Sequence, residues 1–132
     1  MFSKRHYLQN KLKAKEIILE SLDFFAALYG VKYKRVSIRN QRTRWGSCSK
    51  SGNLNFNYKV AFLPKLQRDY VIVHEICHLI EFNHSKRFWA QVERAIPDYK
   101  EVRKQVASTT GQSVTTYLNL SHLLSEPSII VK

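Results

Sequence analysis

The sequence predicts one α+β domain: a long helix, a few short antiparallel strands, then further helices. Three observations predict it. Helical periodicity covers the first thirty residues, alternating polar and apolar residues with turn formers fill the middle, and the helical pattern returns after Pro64. At 132 residues the chain has room for a single hydrophobic core.

The first helix is expected over residues 4–29. Ile18, Leu22, Phe25 and Tyr29 recur at helical spacing, Ile17, Phe24 and Leu28 widen the stripe, and Gly30 is a stop residue able to adopt the left-handed conformation. Residues 31–38 carry Val31, Tyr33, Val36 and Ile38, the β-branched and aromatic content of a strand. A hairpin follows: Trp45-Gly46-Ser47-Cys48, the turn formers Ser51-Gly52-Asn53, and the alternating strand Asn53-Leu54-Asn55-Phe56-Asn57-Tyr58. Its three asparagines are unusual in a plain strand, where threonine fits better.

Pro64 opens a second helix expected over residues 65–82, with Leu66, Tyr70, Val73, Cys77 and Ile80 as its buried stripe. Ser85 is placed to cap a third helix carrying Phe88, Trp89, Val92 and Ile96, which Pro97 ends. Tyr99, Val102 and Val106 mark a fourth. Residues 108–124 hold no charged side chain and begin with a linker-like Thr-Thr-Gly-Gln-Ser run. Residues 1–107 therefore read as the domain and residues 108–132 as a C-terminal tail.

Lysine and arginine number 22 against 10 aspartates and glutamates, a formal charge of +12. Such an excess favours an acidic or polyanionic neighbour. From Phe24 to Arg68 there are ten bases and no acid, with Tyr33, Trp45, Phe56 and Tyr58 interleaved, a pattern found in single-strand nucleic-acid binders. Arg39, Arg42, Arg44 and Lys50 are the candidate contacts for nucleic acid or an acidic substrate. Two cysteines, Cys48 and Cys77, cannot build a disulfide framework or a four-cysteine zinc ribbon. No apolar run approaches the roughly 18 residues of a membrane span, and charges interrupt the amino-terminal stretch where a secretory signal would lie. A cytoplasmic protein with reduced, buried thiols is expected, with no membrane partner.

The chemistry concentrates in His74-Glu75-Ile76-Cys77-His78. The i, i+4 spacing puts two imidazoles on one helix face, where both can bind one tetrahedral ion. Glu75 follows the first histidine, so its carboxylate sits beside the ion and can take a proton from activated water. His84, six residues beyond His78, can fold back as third ligand and leave a fourth position open. Glu93 and Glu101 are alternative third ligands at plausible distances. Metzincins are excluded: Glu81 stands where they carry glycine, and the only methionine is Met1. His6 and His122 are expected at the surface. Tyr58, Arg87 and Tyr99 are candidate oxyanion donors, and Glu81 is a candidate support for the histidines. Trp45 is expected to fill the core and Gly46 to permit close packing.

Four segments in order carry a family resemblance: Ile38-Arg39-Asn40-Gln41-Arg42-Thr43-Arg44-Trp45-Gly46-Ser47-Cys48; Asn53-Leu54-Asn55-Phe56-Asn57; Val73-His74-Glu75-Ile76-Cys77-His78-Leu79; and Asn83-His84-Ser85-Lys86-Arg87-Phe88-Trp89. Over roughly residues 30–104 the chain resembles the YgjP-like metallopeptidases and, more widely, the WLM and SprT-like zinc proteases. The resemblance implies a minimal zincin-like fold, a small antiparallel-containing sheet packed on the active-site helix. It implies one Zn2+ on His74, His78 and His84, with Glu75 as general base in peptide-bond hydrolysis. Protein or peptide substrates follow. The family usually has a longer β-rich region before the first helix, so substrate elements from it are expected to be absent or replaced here. The alternative reading is a nucleic-acid-binding basic module, or a DNA-associated protease, in which the metal site is secondary.

Overall fold

A computed structural model of the chain describes residues 4–41 and 44–109. Helix α1 spans Lys4–Tyr29, followed by strands β1 (Arg35–Arg39), β2 (Gly46–Cys48) and β3 (Asn53–Asn57). A 3-10 turn (Tyr58–Phe62) leads to α2 (Lys65–Cys77), α3 (Lys86–Ala95) and α4 (Tyr99–Thr109). The α+β class is as expected. Of the expected tail, residues 110–132 lie outside the described residues, as do Arg42 and His122.

Helix α1 buries Ile18, Leu22, Phe25 and Tyr29, the expected stripe, against the 3-10 turn and α2. Phe24 and Leu28, expected to widen that stripe, are exposed instead. Gly30, at φ +69°, ends the helix in the left-handed conformation, where a Cβ would be strained.

The sheet order is β1-β3-β2. β2 and β3 form the expected antiparallel hairpin, and β1 joins the far side of β3 in parallel. β3 takes the centre because Leu54 and Phe56 are its fully buried side chains, and a central strand buries them best. The strand expected over 31–38 narrows to 35–39, because pairing requires register with 53–57.

The three asparagines of β3 have a physical reason. Asn57 Nδ2 donates to the carbonyls of Gln41 (2.7 Å) and Arg44 (3.2 Å), while its Oδ1 accepts the Lys59 amide at 3.0 Å. It thereby clamps the β1–β2 connection and caps the 3-10 turn. Asn55 donates to Ser47 Oγ and accepts from Arg39 Nε, bridging all three strands. Asn53 Nδ2 donates to Ser51 Oγ at the hairpin turn. A threonine hydroxyl, with a single donor, cannot make the two donations of Asn57, and it lacks the two separate amide atoms by which Asn55 reaches the strands on either side.

Helix α2 is buried continuously from Asp69 to Cys77. Leu66, expected within its apolar stripe, is exposed, and Ile80 is only half-buried beyond the helix end. The helix stops at Cys77, short of the expected residue 82. Past it the amides of His78, Leu79 and Ile80 bond to carbonyls three residues back, tightening the chain into a turn. Ser85 Oγ then accepts the Phe88 amide and caps α3 as expected. Val102 and Val106 of α4 close the core.

Candidate metal centre

His74 lies on the last turn of α2, His78 is its C-cap and His84 lies on the loop before α3. One nitrogen from each imidazole falls in a group within 4.8 Å of one another, and the Nε2 atoms of His78 and His84 are 3.0 Å apart. Two nitrogens sharing a tetrahedral zinc at bonds of about 2.0–2.1 Å are about 3.4 Å apart. The three side chains therefore fit one such ion with small adjustment. Among the described residues this is the one cluster of its kind, and Glu93 and Glu101 are not in it.

The early end of α2 supplies the orientation. Because the turn takes the Glu81 carbonyl out of a helical ladder, that oxygen can accept from His78 Nδ1 at 3.2 Å. A ring that donates through Nδ1 presents the Nε2 lone pair to the cluster. Burial, then the neighbouring His74, pulls the His78 imidazole down from 6.5 to about 4, so it is neutral and able to ligate at neutral pH. The Glu81 carboxylate, expected to support the histidines, pairs instead with Arg87 at 3.2 Å; its main-chain oxygen does the orienting.

Sequence reading gave Phe88 only a place in the core. Its ring, fully buried, touches all three imidazoles, with centroids at 5.1 Å from His74, 4.4 Å from His78 and 4.9 Å from His84. Trp89 stacks on His84 and on Tyr99. The signal was present in Phe88-Trp89 following His84 closely, but helical periodicity alone cannot separate a core residue from the floor of a site.

Glu75 is buried, with Oε2 3.3 Å from His74 Nδ1. β2, at the sheet edge, lies directly against it. A Cβ built on Gly46 would stand 3.2 Å from Glu75 Cγ and 3.0 Å from the Asn55 carbonyl oxygen. Trp45 is buried, as expected for a core residue.

Other expected features fall elsewhere. His6, expected at the surface, is half-buried with Nδ1 2.9 Å from the Tyr58 hydroxyl, an α1 contact that the sequence pattern does not show. That bond and full burial take Tyr58 out of the oxyanion candidates. Arg87 is exposed beside Glu81, and Tyr99 lies on Trp89. Arg39, Arg44 and Lys50 are exposed. Lys59 is buried, and so are Trp45, Phe56 and Tyr58, which removes three of the four interleaved aromatics as surface stacking platforms. Both thiols are free; Cys77 is buried and Cys48 half-buried.

The YgjP-like metallopeptidase domain matches residues 3–109, most of the chain. The chain belongs to the YgjP-like metallopeptidase family. That match reaches through α1, which the quoted motifs do not cover. Membership carries a divalent metal and protein or peptide substrates. The fold also resembles the crystal structure of the metallopeptidase zymogen of Pyrococcus abyssi abylysin, with TM-score 0.65 and 24% identity over 73% of this chain and 97% of that one. No curated protein matches the chain. Among the described residues no helix is long and apolar enough to cross a membrane.

Proposed function

We propose that this domain is a zinc-dependent peptidase in which His74, His78 and His84 hold the ion and Glu75 is the general base. The convergence of three imidazoles beside a buried carboxylate carries the reading. A bound Zn2+ supplies the electrophile that polarises the scissile carbonyl and lowers the pKa of a water beside it. Glu75 takes that water's proton and returns it to the leaving amine. Gly46 lets the carboxylate lie tight against β2, and Phe88 holds the imidazoles apart from bulk water on their inner side. Among the described residues β2 is an edge strand of the sheet, and an extended peptide would pair along it in the manner of strand addition. We place this activity in the cytoplasm, consistent with two free thiols.

The test is metal analysis of purified protein alongside peptide cleavage by wild type and Glu75→Gln. Stoichiometric zinc in both, with cleavage reduced about 100- to 10,000-fold in the variant, is expected. Wild-type protein without bound divalent metal, or a variant with full activity, sinks the proposal.

A further inference from the structure

Two exposed cations lie near the imidazole cluster, each over an aromatic ring that itself touches a histidine. Lys50 Nζ lies 5.5 Å from the centroid of Phe82, whose ring is 5.9 Å from that of His78. The Arg103 guanidinium lies 5.0 Å from the centroid of Trp89, whose ring is 5.8 Å from both His74 and His84. A cation over a ring face gains electrostatic attraction and loses rotamer freedom, so each charge is positioned rather than trailing in solvent. Among the described residues neither forms an ion pair with a carboxylate. The carboxylate of Glu81, beside Phe82 in the loop between α2 and α3, is taken by Arg87.

We propose that Lys50 and Arg103 select acidic peptide substrates, each meeting a carboxylate side chain near the scissile bond. This rests on the peptidase reading and adds its substrate class. Each cation is within about 11 Å of an imidazole, one ring removed, a span of at most three to four residues of an extended peptide. The carboxylates therefore belong two to four residues from the bond that is cut. Peptide is favoured over single-stranded nucleic acid because Trp89, the ring beside Arg103, has little free face to offer a base. Trp89 lies between Tyr99, at 12° to its plane, and His84, at 23°.

The experiment pairs labelled peptides that carry aspartate and glutamate at those positions with matched asparagine and glutamine peptides. Binding is followed by fluorescence anisotropy on zinc-loaded Glu75→Gln protein, and cleavage is followed with the wild type. The acidic peptide is expected to bind at least tenfold more tightly at low salt, with the contrast shrinking as salt screens the charges. Lys50→Glu combined with Arg103→Glu should erase it, Lys50→Gln should reduce it, and Lys15→Glu, an exposed change on α1, should leave it unchanged. Equal binding of acidic and amide peptides, both cleaved by wild type, overturns this inference and leaves the peptidase reading standing. Acidic preference with no cleavage of any peptide overturns the peptidase reading and, with it, the assignment of a substrate class. A single-stranded DNA that outcompetes every peptide, and loses its affinity in the double variant, overturns the inference in favour of nucleic acid.

Discussion

Gly46 and Glu75 meet without room for a methyl group: a Cβ on Gly46 would lie 3.2 Å from the Glu75 Cγ and 3.3 Å from its Oε2. The glycine is needed for close approach, since its backbone is ordinary strand and, among the described residues, positive φ is confined to Gly30 and Gly52. Gly46→Ala is expected to displace the Glu75 carboxylate and destabilise the domain by about 1–3 kcal/mol, the usual range for overpacking. Peptide cleavage should fall while zinc content holds. Thermal melts, metal analysis and kcat measured together check it; full activity would show that Glu75 yields without loss.

Phe88 predicts a coupling between core and metal. Phe88→Ala should cost about 3–5 kcal/mol, as large-to-small changes at buried phenylalanine do. The milder Phe88→Leu should remain folded yet weaken zinc binding about 10- to 100-fold, the scale on which supporting groups act. Competitive zinc titration of folded Phe88→Leu reads this directly. Unchanged affinity would confine Phe88 to the core.

The metal-free protein should lose stability on acidification through His78. Its folded value of about 4 lies below its ordinary 6.5, so between these values the folded chain binds fewer protons than the unfolded chain. The contribution is fully present above about pH 6.5 and disappears as pH falls toward 4, about 1–3 kcal/mol in all. Urea melts of metal-free protein across that window should slope accordingly. His78→Gln should flatten the slope.

Cys48 offers a contrast between exposure and reactivity. Although half-exposed, its thiol is pushed up to about 12, first by burial of the sulfur and then by the charge of Glu75. Burial does the same for Cys77. Thiolate is the reactive form, so native protein at about pH 8 should alkylate at least 100-fold more slowly than a free thiol at both positions. Mass spectrometry after iodoacetamide, native against denatured, checks it. Rapid native labelling of Cys48 would show that its thiolate is not suppressed.

Much of this molecule was legible from local pattern. The 3.6-residue stripe located α1 from Lys4 to Tyr29, alternation located β3, and Ser85 marked the start of α3. The spacing of His74, Glu75 and His78 along the chain itself points to a metal. Less legible were the features set by long-range contact. That β1 pairs in parallel with β3 depends on which strand wins the centre of the sheet. The solvent exposure of Phe24 and Leu28 depends on how much of the α1 surface its neighbours cover.

The sequence by itself determined the element types, the histidine and glutamate spacing and the excess of positive charge, because these follow from neighbours along the chain. Tertiary structure alone decided the rest. It drew His84 to within 3.0 Å of His78, seated Phe88 beneath all three imidazoles, left β2 without room for a side chain beside Glu75, and placed Lys50 and Arg103 on the rings around the cluster. Residues this far apart in sequence meet only when burial of the shared core brings their elements together, and no local pattern encodes that meeting.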